Sequence, residues 1–387
     1  AAPASKGKRA RGGTYANDQG LRVASASLVW LAHLQDPSWP VLQLCLGDDV
    51  PWVVRLIPML APDAFPPAKL LPSRTNLRAY QDSELPSPAY NCRLALESGY
   101  APVVRLLHSR FSLDTTRALR DATILLKVWL RRRTHSQAGG VRGFHLTLIL
   151  AYLLETRKIN HALSAYHVFR VALSFLATTR LESHPIVLGA DAAGDDAARC
   201  AARFGSSSTF VVCAGEAHCN YGLGVTLGAM VELRHAAAAS LAALDDTRLD
   251  ETLSFSILFL RAQPPELRYD ALLSLKSPSA GDVSRRISGA AAAAAAVRVA
   301  EAAAAAAGAA AAATAERTPA EFGPPPGPLT PEDVVGCIAL AAESLLRHGL
   351  GKRAKLVRAW RAPLTEQPIP GGDTTADAEK AAVIHVG

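Results

Sequence analysis

The sequence predicts an α+β protein in which α/β sheet units alternate with helical bundle units. Two stretches of short, extended apolar runs, near residues 24–60 and 186–213, are each followed by patterns of helical period. The run from Leu119 to Leu130 is apolar at almost every helical position, which reads as a buried helix. It ends in Arg131-Arg132-Arg133, where cations complement the negative end of the helix dipole, and a glycine-rich turn, Gly139-Gly140-Val141-Arg142-Gly143-Phe144, launches another apolar helix. The order sheet, bundle, sheet, bundle reads as a tandem repeat of one two-domain unit.

Residues 1–20, with Lys6-Gly7-Lys8-Arg9, form a basic flexible tail compatible with nuclear targeting. Residues 21–86 form a partial sheet domain with extended runs at Ala24–Trp30, Val41–Leu46 and Val53–Leu60, the last having the content of a buried strand ending at proline turns. Residues 87–185 carry helices over Ala101–Ser109, Thr115–Arg132, Phe144–Thr156 and Ser164–Ala177, with Ser164 placed as an N-cap. Residues 186–285 read as a second α/β unit: strands at Ile186–Leu188 and Thr209–Cys213, a helix at Gly224–Leu244, and a strand at Ser254–Leu260. The alanine runs and the Pro324-Pro325-Pro326 cluster make 286–329 a low-complexity insertion. From 330 to 387 a capping box, Thr330 to Asp333, opens a helix to Arg347, and a basic helix follows over Lys352–Trp360.

Net charge is +7 over 387 residues, concentrated in one place. Between Ala101 and Arg180 thirteen Lys/Arg face three acids, Asp114, Asp121 and Glu155. Such a module fits a polyanionic neighbour, most simply RNA; a hydrated arginine-rich face in an arginine-rich proteome is the plainer alternative. Neither alanine run has the bulk of a membrane span, so no membrane partner is expected. The six cysteines form no C-x-x-C pair and read as reduced thiols. Cys213, His218, Cys219 and His235 match no zinc module, so metal is expected to be absent.

Several separated segments resemble the nucleolar RNA-associated protein (Nrap) family. They are Phe65-Pro66-Pro67-Ala68-Lys69-Leu70-Leu71-Pro72-Ser73-Arg74-Thr75-Asn76-Leu77-Arg78, Ser87-Pro88-Ala89-Tyr90-Asn91, and the Leu119–Arg133 helix with its glycine turn. Further on come Arg157-Lys158-Ile159-Asn160, Tyr166–Arg170, Asn220, Ala236–Asp246, Asp250, Phe255–Leu260 and Arg268-Tyr269-Asp270. The resemblance implies nucleotidyltransferase-like domains alternating with helical domains like those of poly(A) polymerases and oligoadenylate synthetases. It also implies a larger parent protein, of which this chain, starting at Ala1, is a shortened part.

An active nucleotidyltransferase holds two Mg²⁺ between alternate carboxylates on one strand face. Asp48-Asp49, Asp195-Asp196, Asp245-Asp246 and Asp250-Glu251 are adjacent pairs, which a strand would point to opposite faces. The expectation is a degenerate enzyme with no cofactor; the alternative is an RNA-specific nucleotidyltransferase whose catalytic strand lies outside this sequence. Gly222-Leu223-Gly224-Val225-Thr226-Leu227-Gly228 is one residue too long for a dinucleotide loop and reads as a tight strand-to-helix turn.

The candidate RNA-binding residues are Arg131, Arg132, Arg133 and Arg142, which flank one turn, with Arg157 and Lys158 beyond the next helix. Three consecutive helical residues cannot face one way, so at least one of Arg131–Arg133 is expected to be structural. Trp129 is expected in the core, and Tyr90 and Asn91 at the domain junction. The resemblance further implies a nucleolar, non-catalytic scaffold of the small-subunit processome. Its implied partners are precursor rRNA, an rRNA-processing subunit and casein kinase II.

Overall fold

The computed structural model describes residues 27–32, 40–45, 53–57, 59–61, 64–76, 87–134, 139–189, 195–205, 208–214, 219–246, 248, 250–261, 268–276, 334–361, 367–368 and 383–386. The fold is mixed α and β and mostly helical, and the chain divides into two compact units. The first comprises Ala1–Pro58 and Leu364–Ala376, the second Met59–Pro363 and Asp377–Gly387.

The first unit is an antiparallel sheet of β1 (Ser27–Ala32), β2 (Pro40–Cys45), β3 (Val53–Leu56) and a two-residue β8 (Gln367–Pro368), in the order β3-β2-β1-β8. Register runs from Ser27 opposite Cys45 to Ala32 opposite Pro40. The Val53–Leu60 run, expected as a buried strand, is an exposed edge: among the described residues β3 pairs only with β2, and Val53 and Leu56 are 52% and 53% accessible.

The second unit is built on α1 (Pro88–Phe111), α2 (Ala118–Arg133), α3 (Gly143–Glu155), α4 (Ala165–Thr178) and α6 (Leu227–Asp245). Helix α1 starts well before the expected Ala101, with Pro88 at a first-turn position where its missing N–H costs nothing, and it continues through Pro102. Asn91, fully buried, anchors it: Nδ2 donates to the Leu71 and Arg74 carbonyls, and Oδ1 accepts from Asn76 Nδ2 and Ser87 Oγ. The Pro67–Asn76 turn is thereby fixed to the head of α1. Ser164 Oγ caps α4 as expected, accepting from the His167 N–H, and Thr226 does the same for α6.

Helix α2 is amphipathic rather than wholly buried. Leu119, Ala122, Leu126, Trp129, Leu130 and Arg133 face inward at helical spacing, whereas Ile124 and Val128 face solvent. Trp129 lies in the core with no accessible surface, and its Nε1–H donates to Ser240 Oγ of α6 at 2.8 Å.

β4 (Ile186–Leu188) and β5 (Val212–Ala214) pair in parallel, joined through α5 (Asp195–Phe204). The strand expected at Ser254–Leu260 is instead helical: α7 (Glu251–Phe255) runs into a π-helical turn, Ser256–Leu260. Asp250 Oδ1 caps it by accepting from the Leu253 N–H, and Phe255 stacks on Phe259 at 4.9 Å, an i,i+4 contact that a strand cannot make. The expected boundary at 185/186 is not a break in packing. One apolar core runs from Leu70 to Phe259 and includes Ile186, Leu188, Val212 and Leu233 beside Leu126 and Phe169.

Helix α8 (Val334–Leu350) follows the insertion, whose residues lie outside those described, as do the 1–20 tail and the Thr330–Asp333 capping box. The basic helix expected over Lys352–Trp360 is a 3-10 turn (Gly351–Arg353) leading into β7 (Ala359–Arg361). Gly351 ends α8 at φ +52, and Arg347 Nη2 binds the Val357 carbonyl at 2.7 Å, holding the segment extended. β7 and β6 (Leu273–Lys276) both pair with β9 (Val383–Val386). Among the described residues no helix is long and apolar enough to cross a membrane.

Candidate nucleic-acid interface

Of the thirteen basic residues between 101 and 180, nine are exposed, so the local charge surplus reaches solvent. The six singled out from the sequence divide into distinct places. Arg131 and Arg132 are exposed at the end of α2. Arg133, one residue on, is turned inward and only 7% accessible, because the helical rotation carries it onto the Leu126–Leu130 face. Arg142 is half-buried at the head of α3, near Tyr100, whose phenol is pushed up by burial and only partly eased by the Arg142 cation.

Arg157 and Lys158 are exposed at the other end of α3, about 20 Å away along a 13-residue helix. They close α3 with a Schellman motif: the Lys158 N–H donates to the Leu153 carbonyl at 2.9 Å and the Arg157 N–H to Leu154 at 3.1 Å. Arg157 sits at φ +56, where glycine is the usual residue. Lys158 Nζ lies 4.8 Å over the Phe175 ring. The six residues therefore belong to two edges of the bundle rather than one patch.

The turn between α2 and α3 is locked from inside by His145. Its Nδ1 accepts from the Arg142 N–H at 3.1 Å, its Nε2–H faces the Tyr221 carbonyl at 3.0 Å, and its ring meets Phe210 edge-on. Burial first, and then the Arg142 cation, push its pKa down to about 3, so the ring is neutral. The Gly139 carbonyl accepts from the Thr226 N–H, tying the same turn to the start of α6.

The glycine run before α6 is a tight turn. Gly224 has φ +79, and a side chain on Gly228 would collide with Glu343. Glu343 of α8 occupies the N-terminus of α6, its Oε1 accepting from the Gly228 N–H at 2.8 Å and its Oε2 from the Ala359 N–H at 2.8 Å. Where a dinucleotide phosphate would bind, the chain supplies its own carboxylate.

Three of the other carboxylates weighed from the sequence are tied into the fold, whereas Asp48 and Asp49 lie outside the described residues. Asp245 pairs with Arg170, Asp246 with Arg248, and Asp250 caps α7. Cys92, Cys200, Cys213 and Cys219 are buried; burial pushes the Cys92 thiol up to about 12 and Cys219 to about 11. His235 is exposed on α6, away from those interior thiols, and His218 lies outside the described residues. Among the described residues no three His, Cys, Asp or Glu side chains converge as metal ligands.

Two domain descriptions of one family fit this chain: Nrap protein domain 1 over residues 21–112, and the Nrap protein PAP/OAS-like domain over residues 118–262. The chain belongs to the Nrap family. Nucleolar protein 6 of Homo sapiens is 32% identical over 234 residues, covering 58% of this chain and 20% of the human protein. Nucleolar protein 6 of Mus musculus is 31% identical over 230 residues, 57% of this chain and 19% of the mouse protein. U3 small nucleolar RNA-associated protein 22 of Saccharomyces cerevisiae is 32% identical over 134 residues, 30% of this chain and 11% of the yeast protein. The chain thus spans about a fifth of the length of the mammalian relatives. These names place the family in the nucleolus, which is this chain's compartment.

A buried ion network, invisible in the sequence pattern, lies behind the α2 terminus. Arg358, wholly buried, has Nε 3.4 Å from Glu232 Oε2 and Nη1 3.6 Å from Glu343 Oε2, and donates from Nη1 to Thr226 Oγ1 at 2.8 Å. Arg268 Nη1 binds Glu232 Oε1 at 3.1 Å, and its Nη2 donates to the Arg132 carbonyl at 3.2 Å. The Arg268-Tyr269 signal was legible as part of the family pattern; its pairing with residues more than thirty positions away was not.

Proposed function

We propose that this chain is a non-catalytic, RNA-associated scaffold of the nucleolar small-subunit processome, acting in precursor rRNA processing and small ribosomal subunit biogenesis. The observation that carries the reading is the exposed basic surplus of residues 101–180, standing on a fold whose neighbouring carboxylates are spent on capping and ion pairs. Phosphate contacts from such residues supply affinity without sequence readout. Arg131 and Arg132 form one contact point; Arg157 and Lys158 form another at the opposite end of α3. Arg142, half-buried, positions the turn between them.

The test is a titration of the 387-residue chain against structured RNA over a salt series. Each phosphate neutralised steepens the log–log salt dependence by ~0.7–0.9. Arg131→Ala/Arg132→Ala and Arg157→Ala/Lys158→Ala should each flatten the slope by about one to two units. No binding at ~100 mM salt, where the Debye length is ~10 Å, would remove RNA from the proposal.

A second reading is favoured by Ile124 and Val128, which stand 50% and 36% accessible one turn apart on α2. Here the bundle docks protein partners, an rRNA-processing subunit and casein kinase II among those the resemblance implies. The catalytic alternative, an RNA-specific nucleotidyltransferase, predicts incorporation of labelled nucleotide into RNA with Mg²⁺; such incorporation by this chain would overturn the non-catalytic assignment.

A further inference from the structure

The buried charges behind α2 alternate in sign along a chain of contacts. Arg347 Nη2 lies 3.4 Å from Glu343, Glu343 faces Arg358, Arg358 faces Glu232, and Glu232 binds Arg268. The next group is Arg133, whose neighbour Arg132 supplies the carbonyl bound by Arg268 Nη2. At this junction the alternation breaks: one arginine follows another, and the Arg268 charge acts on Arg133. Arg133 is 93% buried by its accessibility of 7%, and its Nε and Nη2 have no hydrogen-bond partner among the described residues. Burial, reinforced by the Arg268 charge, makes Arg133 easier to deprotonate than an ordinary arginine, a sign of how poorly its cation is compensated.

An interior ion is normally paired, because desolvation costs several kcal/mol that a lone charge does not recover. Among the described residues no carboxylate pairs with Arg133, and the group that would complete its side edge is an anion. The unpartnered atoms of Arg133, Nε and Nη2, form the side edge of the guanidinium, the edge that grips two oxygens of one anion. The junction reaches solvent, since the Arg268–Arg132 contact is at the surface and Arg131 and Arg132 are exposed beside it.

We propose that the Arg133–Arg268 junction is an anion site that takes a phosphate group, with Arg133 as the bidentate ligand and Arg268 as the second cation. The source of the phosphate rests on the RNA-associated reading above; the site itself does not. In this arrangement the exposed Arg131 and Arg132 steer a polyanion, and Arg133 binds one phosphate.

Inorganic phosphate is titrated into the 387-residue chain against chloride at constant ionic strength, read by calorimetry and by the thermal midpoint. Saturable, stabilising binding is expected. In Arg133→Gln it should weaken about ten-fold or more, the loss of two charge-assisted hydrogen bonds. Arg133→Lys, which keeps the charge and loses the fork, should fall between. Without phosphate, Arg133→Gln should be at least as stable as the parent, because an uncompensated interior charge has been removed. Arg248→Ala, an exposed arginine on Asp246, should bind as the parent does. Equal responses to phosphate and chloride, or undiminished binding by both Arg133 variants, would overturn the proposal.

Competition by 5′-phosphorylated and 5′-hydroxyl trinucleotides identifies the source. Displacement by both assigns a backbone phosphodiester, by the phosphorylated one a terminal phosphate, and by neither the free ion; each upholds the site. Because the phosphate titration contains no RNA, failure of the salt-series experiment leaves its outcome independent.

Discussion

Acidification should unlock the α2–α3 turn through His145. The neutral ring accepts at Nδ1 from the Arg142 N–H and donates from Nε2 to the Tyr221 carbonyl. Protonation puts a second hydrogen at Nδ1, against that N–H and beside the Arg142 cation. The unfolded chain takes the proton near pH 6.5, whereas the folded chain resists it to about 3. A depressed pKa means that the unfolded state holds more protons below 6.5, so stability is complete above that pH and falls as the pH drops toward 3. The slope is ~1.4 kcal/mol per pH unit, so His145 should cost about 2 kcal/mol on going from pH 7.5 to pH 5. Urea unfolding followed by tryptophan fluorescence at several pH values measures it. Other histidines, including His184, whose pKa burial also lowers, contribute equally to the parent and a His145→Gln variant. Glutamine can accept and donate without titrating, so the variant should lose about 2 kcal/mol less over that range. Identical pH slopes in the two proteins would refute the assignment of His145 as a neutral, buried lock.

Three further outcomes follow from other parts of the second unit. Arg157→Gly, which relieves a left-handed arginine in the Schellman turn, should raise stability by about 1 kcal/mol in chemical denaturation while weakening RNA binding at that edge. Arg358→Met should lower stability by about 3–5 kcal/mol, because Glu232 and Glu343 lose their shared buried cation; adding Glu232→Gln and Glu343→Gln should restore part of it. Ser240→Ala leaves the Trp129 Nε1–H unpaired in the core and should cost about 1–3 kcal/mol, with a shift in Trp fluorescence reporting the lost bond.

The sequence by itself determined the elements whose signals are local. Ser164 before an apolar helix, the Arg131–Arg133 run with its glycine turn, and the Ile186–Leu188 strand are set within a few residues by capping, period and turn chemistry, and they stand where expected. The basic surplus was also legible, since counting charges needs no fold. Where local preferences competed, tertiary contact decided. Ser254–Leu260 has strand composition, yet the Asp250 cap and Phe259 packing on Phe169 hold it helical. Arg131, Arg132 and Arg133 are identical as letters, and the face of α2 that meets the core sends the third inward. The Glu232–Arg358–Glu343 network joins residues over a hundred positions apart, across the low-complexity insertion. A pairing of that kind leaves no periodic trace, because the energy of a buried charge depends on which partner the folded chain brings to it.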